Sequence, residues 1–401
     1  MQHGGQFSPR DNCLLAYPFV KSLAMQRIAL TLPGGGARAA YQAGVLRAVS
    51  DICKIKKSPF QIISGVSAGG INAMWMAAGA TDFESATSDM WDDWKALDVG
   101  DVFKTDALTL LSTGSKWLRN LSLGEWFGKS DVNYLLDTDP LEQMLKQKIR
   151  FDAIEENLKS GLLFGVSLSA TDYSLSSGVT FFDGDESIKP WERTLNIGVR
   201  DKLTLNHVMA SAAIPIFFPP VKIGNRDYGD GGIGLKTPLS PAIHMGCARM
   251  MVIGVQNPPY IQPEKDTPGR HRATLGDISG TLLNSLFLSS LDTDVARLEK
   301  TNRTVSFFTP AQLKKDPDGL RKIELLVIRP SRDLSLIGAK EFAHFPFTIR
   351  HVLKGLGVTD QKGWDLLSYL AFDKVYSKAL LELGYSDALH RKKEIIQFFK
   401  T

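Results

Sequence analysis

The chain has 401 residues, of which 43% are hydrophobic and 22% charged, and its formal net charge is +4. This balance is that of a globular protein with a large core, and it excludes intrinsic disorder and an integral membrane protein. The small positive charge, without a long Lys/Arg block, argues against nucleic-acid binding and permits only slight attraction to anionic lipid.

Residues 1–26 lack the charged start and the continuous apolar stretch of a secretory signal, and they are interpreted as an extension outside the fold. A start at Met25 would leave the following domain whole. Because no apolar run reaches the length of a membrane-spanning helix, a cytoplasmic protein is expected, with peripheral contact to a membrane. Cys13, Cys53 and Cys247 have unrelated spacings and are interpreted as free thiols, with no metal site among them.

The first strong elements predict two successive β-turn-α units. Arg27–Leu32 is a short apolar run that ends at Pro33 and three glycines, as a buried strand does before a tight loop. Helical spacing of apolar residues then predicts a helix from Tyr41 to Ile52. Phe60–Ile63 predicts a second strand, and Ala68–Ala78 a helix of small residues. Two such units imply a parallel sheet covered by helices.

Between Leu97 and Leu136 the pattern is irregular and rich in Leu, Gly, Ser and aromatic residues. It predicts a lid rather than a sheet strand. Trp117, Trp126 and Phe127 in this segment have two interpretations that stay open, because exposed aromatic clusters favour membrane interfaces whereas buried ones are ordinary core.

The rest of the chain predicts further strands, which extend the sheet over most of the sequence, and C-terminal helices. The strands are predicted at Leu162–Leu168, Val179–Phe182, Met250–Val255 and Ile323–Ile328, and the helices around Leu282–Leu298, Leu366–Leu383 and Ser386–Phe399. The proline-rich stretch 256–274 is interpreted as a linker or long surface loop. The fold class is therefore α/β.

Gly65-Val66-Ser67-Ala68-Gly69 is a G-x-S-x-G between a predicted strand and a predicted helix. A tight turn there lifts the serine Oγ clear of the sheet, and the glycines let backbone and substrate approach closely. The N-terminus of the helix also favours negative charge. As a bare pattern it is equally an ordinary glycine-rich turn, but its context indicates that Ser67 is a nucleophile.

Gly34-Gly35-Gly36-Ala37-Arg38 lies at the other strand-to-helix junction. Its backbone N–H groups are suited to bind either a phosphate or a developing oxyanion. Neither the dinucleotide fingerprint nor the P-loop pattern is completed here, which argues against a nucleotide-binding module. Together with the G-x-S-x-G that follows, the loop makes better sense as an oxyanion hole.

A serine nucleophile needs a base, and none of the seven histidines lies in a local motif of its own. The other candidate is Asp230, which Gly231 and Gly232 follow in an expected loop. Such a carboxylate can approach a hydroxyl, and partial burial would raise its pKa toward a useful value. Asp-Gly is also among the commonest turn dipeptides, and by itself the pattern favours a simple turn.

In combination these motifs resemble those of the patatin-like phospholipase family. Gly34–Arg38 resembles its oxyanion-hole motif, Gly65–Gly69 its nucleophile motif and Asp230–Gly232 its aspartate motif, in the family's order. Ala210–Pro215 with Phe217–Pro220 is similar to the segment that precedes the aspartate. The C-terminal helices are similar to those of bacterial members. Four motifs in order are far more specific than any one of them.

The resemblance implies a three-layer fold with a mostly parallel central sheet, a catalytic domain at 27–256 and a helical C-terminal extension at 257–401 that packs on it. It implies a phospholipase A or lysophospholipase that cleaves carboxylic esters of a lipid through an acyl-enzyme, without metal or cofactor. Ser67 would be the nucleophile and Asp230 the general base. The oxyanion hole would comprise Gly34, Gly35, Gly36, Ala37 and Arg38, with supporting roles for Gly65, Gly69, Gly231 and Gly232.

Two details of the glycine loop stay open. The family's loop usually continues with Gly after the arginine, where this chain has Ala39. The methyl group of this alanine affects the closest approach that the loop backbone can make. Arg38 has two candidate roles, to fix the loop through nearby carbonyls or to attract a phospholipid phosphate.

Two alternative functions also remain. An α/β-hydrolase esterase would take a catalytic histidine after the acid, although the spacing from the glycine loop to Ser67 is shorter than usual for that fold. The histidines at suitable positions are His244, His271, His344, His351 and His390. A non-catalytic lipid-binding member would keep the fold and lose turnover, which intact Ser67 and Asp230 argue against.

Overall fold

The structure, a computed structural model, describes most of the chain. The described residues are 27–106, 112, 115, 134–193, 196–257, 278, 280–282, 284–285, 289–313, 315–316, 319–341, 350, 354 and 363–400. The N-terminal extension, Trp117, Trp126 and Phe127 of the predicted lid, and His271, His344 and His351 lie outside them.

One mixed sheet forms the centre of the described part of the chain. Its strands are β1 Ile28–Leu32, β2 Ile62–Val66, β3 Gly165–Asp172, β4 Ser177–Gly184, β5 Trp191–Arg193, β6 Asn196–Arg200, β7 Val221–Ile223, β8 Arg226–Asp230, β9 Arg249–Ile253 and β10 Glu324–Ile328. The order is β10-β9-β1-β2-β3-β4-β6-β5, with β8 beside β3 and β7 beside β8. Pairing is parallel from β10 through β3 and between β4 and β6, and antiparallel elsewhere.

Helices cover this sheet, and none of the described ones combines the length and the apolar run needed to cross a membrane. A 3-10 turn at Gly36–Ala39 precedes the first of them. The helices are α1 Ala40–Cys53, α2 Ala68–Ala78, α3 Phe83–Ala96, α4 Val99–Val102, α5 Asp139–Lys148, α6 Phe151–Lys159, α7 Leu205–Ser211, α8 Gly231–Gly234, α9 Ser240–His244, α10 Ser289–Val305, α11 Pro310–Leu313, α12 Leu334–Glu341, α13 Trp364–Leu370, α14 Lys374–His390 and α15 Lys392–Lys400.

Alternating side chains of the central strands contact two separate apolar cores. Leu30 and Met251 belong to the core that contains α1, α2, α3 and α14, whereas Ala29 and Met250 belong to the core under α9 and α10. Because both faces are covered, strands such as β1 and β9 are nearly continuous apolar runs. The predicted α/β architecture, a mostly parallel sheet between helical layers, is confirmed.

The C-terminal part of the chain is in close contact with this core. Strand β10 pairs with β9 in the same sheet. Helix α14 packs backbone to backbone on α1, since a Cβ added to Gly44 would lie 2.1 Å from the carbonyl oxygen of Leu381, and one added to Gly384 2.2 Å from that of Tyr41. The division of the chain at residue 256 stays a prediction.

Two helix predictions near the C-terminus are wrong. The predicted helix Leu366–Leu383 is interrupted after Leu370, because the carboxylate of Asp373 accepts the backbone N–H groups of Val375 and Tyr376 and so begins a new helix. The helix predicted to begin at Ser386 is a continuation of α14, which runs to His390. Apolar spacing continues from Leu366 to Leu383, so the Asp373 cap alone marks the boundary between α13 and α14.

Candidate active site

Ser67 lies in the turn between β2 and α2, with φ 54° and ψ −135°. A positive φ is strained for a serine, at about 1 to 3 kcal/mol, and it persists only where the surroundings enforce it. The turn is packed against the end of β1, since a Cβ added to Gly69 would lie 2.3 Å from the carbonyl oxygen of Leu32. This packing holds the serine at the carboxyl end of the central strands.

Asp230 is hydrogen-bonded directly to this serine. Ser67 Oγ donates to Asp230 Oδ2 at 2.6 Å, and the backbone N–H of Gly232 donates to Oδ1 at 2.8 Å. Asp230 is 0% exposed and Ser67 2%. Burial raises the pKa of the Asp230 carboxyl from 3.8 to about 7, against the opposing effect of the two hydrogen bonds. A carboxylate with this pKa can accept a proton near neutral pH.

Strand β3 brings the two residues together. Val66 at the end of β2 is in register with Ser169, and Asp230 is in register with the next residue, Ala170. Two chain segments therefore end at adjacent positions along one strand. The expected loop around the aspartate is wrong in this respect, because Asp230 is the last residue of β8 and the N-cap of α8.

Further side chains that the sequence did not single out support the pair. Ser211 Oγ accepts the backbone N–H of Ser67 at 2.9 Å and donates to the carbonyl oxygen of Ser169 at 2.6 Å. Thr171 Oγ1 donates to the carbonyl oxygen of Asp230 at 2.6 Å. Ser211 lies within the Ala210–Pro215 segment, where it is a polar residue in a run of alanines, and that contrast is the one local signal of its role.

The glycine loop adjoins the serine. A Cβ added to Gly34 would lie 2.8 Å from the Cβ of Ser67 and 3.6 Å from its Oγ. The 3-10 turn at Gly36–Ala39 leads directly into α1, so the loop is the start of a helical stretch, where backbone N–H groups favour negative charge. The role of Gly34, Gly35, Gly36 and Ala37 as an oxyanion hole stays a prediction.

Arg38 directs its side chain away from the serine, toward the C-terminal helix α13. Its guanidinium donates to Ser368 Oγ at 2.9 and 2.6 Å and pairs with Asp365 at 3.0 Å, and it lies 4.5 Å from the centre of the Tyr369 ring. Its backbone N–H already donates to the carbonyl oxygen of Gly35 at 3.2 Å. Of the two roles considered for Arg38, these contacts favour fixing the loop over attracting a phosphate.

A buried amide network, also missed in the sequence, connects the glycine loop to α2 and α3. Asn72 Nδ2 donates to the carbonyl oxygen of Ala39 at 3.1 Å and to Gln42 Oε1 at 3.0 Å, while its Oδ1 accepts from Trp94 Nε1 at 2.9 Å. Gln42 in turn donates to the carbonyl oxygen of Pro33 at 2.8 Å. Ala39 is fully buried in this arrangement.

An apolar cavity opens at Ser67. Its empty volume is about 650 Å³, part of it open to solvent, and its walls come from α2, α3, α5 and the segment Ile214–Phe218. Trp117, Trp126 and Phe127 are outside the described residues, and the lid stays a prediction.

The described histidines belong to other parts of the fold. His207 contacts Thr204 and the ring of Phe181, and His244 stacks on Trp191 with 4.8 Å between ring centres. Among the described residues no histidine is hydrogen-bonded to Ser67 or Asp230. The choice between a Ser/Asp dyad and a triad stays a prediction.

The sequence of this chain matches one family model and one curated protein. The family model described as Patatin-like phospholipase matches residues 30–243, more than half of the chain. A curated relative, "Probable lipid hydrolase 463L" of Invertebrate iridescent virus 6, is 26% identical over 216 residues, which are 53% of this chain and 62% of that protein. The chain therefore spans less than two thirds of that relative's length.

Two solved structures are also similar. VipD from Legionella pneumophila aligns with a TM-score of 0.34 and 12% identity, over 92% of this chain and 67% of that one. The type III effector protein ExoU aligns with a TM-score of 0.28 and 16% identity, over 88% and 77%. Both scores are too low to support a shared function or a shared detailed geometry.

Proposed function

The chain belongs to the patatin-like phospholipase family, and on that premise we propose that it is a lipid acyl hydrolase that cleaves carboxylic esters through a Ser67/Asp230 dyad. One observation carries the proposal, the 2.6 Å hydrogen bond from Ser67 Oγ to the buried carboxylate of Asp230 beside an apolar cavity. The substrate class is a phospholipid or lysophospholipid. The lipid hydrolase name of the viral relative supports a lipid substrate.

The chemistry follows from these groups. Asp230 takes the proton of Ser67 while Oγ bonds to the ester carbonyl carbon, and backbone N–H groups of Gly35, Gly36 and Ala37 hold the oxyanion. Each such donor is typically worth about 2.7 to 4 kcal/mol in the transition state. The leaving alcohol takes the proton from Asp230 as the ester C–O bond breaks. Water then attacks the acyl-enzyme with Asp230 again as base, which releases the fatty acid and restores Ser67.

Contact with a membrane surface is part of the proposal. The backbone N–H groups of Leu135 and Leu136, at the end of the predicted lid segment, donate to the carbonyl oxygens of Ile216 and Phe217 at 2.9 and 2.8 Å. Ile216 is 59% exposed, although its neighbours Ile214 and Phe218 line the cavity. The exposed Ile216 side chain, beside the cavity and the end of the predicted lid segment, is the group that we propose to contact the lipid surface.

The direct test is hydrolysis of a lipid panel by the wild type and by Ser67→Ala, with mass spectrometry of the products. We expect the wild type to release fatty acid and Ser67→Ala to lose at least about a thousandfold in kcat. Ser64→Ala is the matched control, because Ser64 is equally buried on β2 but bonds to Ser167, and it is expected to keep activity. Hydrolysis by Ser67→Ala at the wild-type rate would end the proposal.

A further inference from the structure

The apolar cavity at Ser67 is adjacent to a second cleft, and two residues line both. The second cleft has an empty volume of about 1,050 Å³, part of it open to solvent, and its lining is charged, with Asp82, Asp89 and Asp92 among its residues. Trp75 and Asp93 line the cavity and the cleft alike. They therefore lie at the boundary between an apolar space and a polar one.

Helix α2 runs along both spaces. Ala68, Ile71 and Trp75 on one of its faces line the cavity, and Ala78 and Gly79, one turn further, line the cleft. Residues three or four positions apart lie on the same face of a helix, so these residues follow one face that begins beside Ser67. At a rise of about 1.5 Å per residue, the axial distance from Ser67 to Trp75 is about 12 Å.

Two further helices, α5 and α3, also contribute apolar residues to the cavity and charged residues to the cleft. On α5, Leu141 and Leu145 line the cavity, whereas Lys148 lines the cleft. On α3, Trp94 lines the cavity, while its neighbour Asp93 pairs with Lys148 at 2.8 Å. An ion pair thus joins α3 to α5 where the apolar lining ends.

We propose that Trp75, backed by the Asp93–Lys148 ion pair, closes the far end of the acyl cavity and limits the length of the acyl chain that the site accepts. The inference rests on the proposed function. The Trp75 ring blocks the path of a longer acyl chain, and displacing this ring costs free energy that the last methylenes do not offset in a charged, solvated cleft. The site therefore favours medium-length chains over long ones.

The experiment compares the wild type with Trp75→Ala on p-nitrophenyl butyrate, octanoate, laurate and palmitate. We expect the ratio of kcat/KM for palmitate to that for octanoate to rise roughly tenfold or more in Trp75→Ala, since a few methylenes in an apolar pocket discriminate by this amount. Trp75→Phe is expected to fall between the two. Trp91→Ala is the matched control, because Trp91 packs against Tyr385 and is not among the lining residues of either space.

Binding of the corresponding fatty acids to Ser67→Ala and to Ser67→Ala/Trp75→Ala, measured by displacement of a fluorescent fatty acid, separates the two proposals. Absence of Ser67-dependent hydrolysis in the wild type overturns the proposed function, and the binding profile then tests the closure alone. A chain-length profile that is unchanged by removal of Trp75, in hydrolysis or in binding, overturns the closure. So does a failure of fatty acids of every length to bind.

Discussion

At the scale of single residues, Asp230 determines how the proposed reaction depends on pH. Only the ionised carboxylate accepts the proton of Ser67, and burial raises the pKa of this group to about 7. We expect kcat/KM to rise with pH through about 7 and to level off above it. Asp230→Asn is expected to lack this rise and to lose activity throughout. A pH–rate profile of both proteins tests this, and an active Asp230→Asn would contradict the assignment.

The same carboxylate is expected to lower stability. Its pKa is 3.8 when free and about 7 when folded, so between these values the folded state binds more protons than the unfolded one. The free energy of unfolding therefore falls as pH rises through this window and is flat above it. Asp230→Asn avoids the buried charge, and at about pH 8 we expect it to exceed the wild type by as much as about 4 kcal/mol. Urea titrations that show no gain at that pH, or an equal gain at about pH 4, would contradict this account.

At the scale of elements, Arg38 joins the glycine loop to α13, a helix more than 300 residues away in the chain, through Ser368 and Asp365. Arg38→Met keeps the apolar length of the side chain and removes these bonds. We expect a loss of about 2 kcal/mol in the free energy of unfolding and roughly a tenfold lower kcat, because the loop amides are less well held.

The matched control for this change is Arg47→Met. Arg47 lies on α1 and forms a partly exposed pair with Asp51 at 3.1 Å, a type of contact worth at most about 1 kcal/mol. Thermal melts and single-turnover kinetics distinguish the two variants. If both behave alike, α13 does not position the loop.

At the scale of the whole molecule, the C-terminal part completes the core. Strand β10 extends the sheet beyond β9, and Tyr376, Leu380 and Leu381 of α14 are 0% exposed, with α14 packed on α1. A chain that ends at Gln256 would leave these apolar faces of α1 and β9 in water. We expect it to lose cooperative unfolding, measured by circular dichroism and limited proteolysis.

Removal of residues 1–26 is the comparison for this truncation. These residues are interpreted from the sequence as an extension, and their loss is expected to leave the melt unchanged. A cooperative melt of the chain that ends at Gln256, close to that of the full protein, would instead mean that residues 27–256 fold independently.

The sequence by itself determined the local geometry of the motifs. Apolar spacing is a short-range property, and it predicted the helix Ala68–Ala78 at its observed bounds. It also predicted the strand before this helix, but at Phe60–Ile63, whereas β2 is Ile62–Val66. The tertiary structure alone decided that the carboxylate of Asp230, 163 positions away, is hydrogen-bonded to Ser67, because the two residues meet through adjacent register positions on β3. It also decided the raised pKa of that carboxyl, the direction of the Arg38 side chain and the place of Trp75. Burial and long-range contact depend on which segments meet, and no local pattern encodes that.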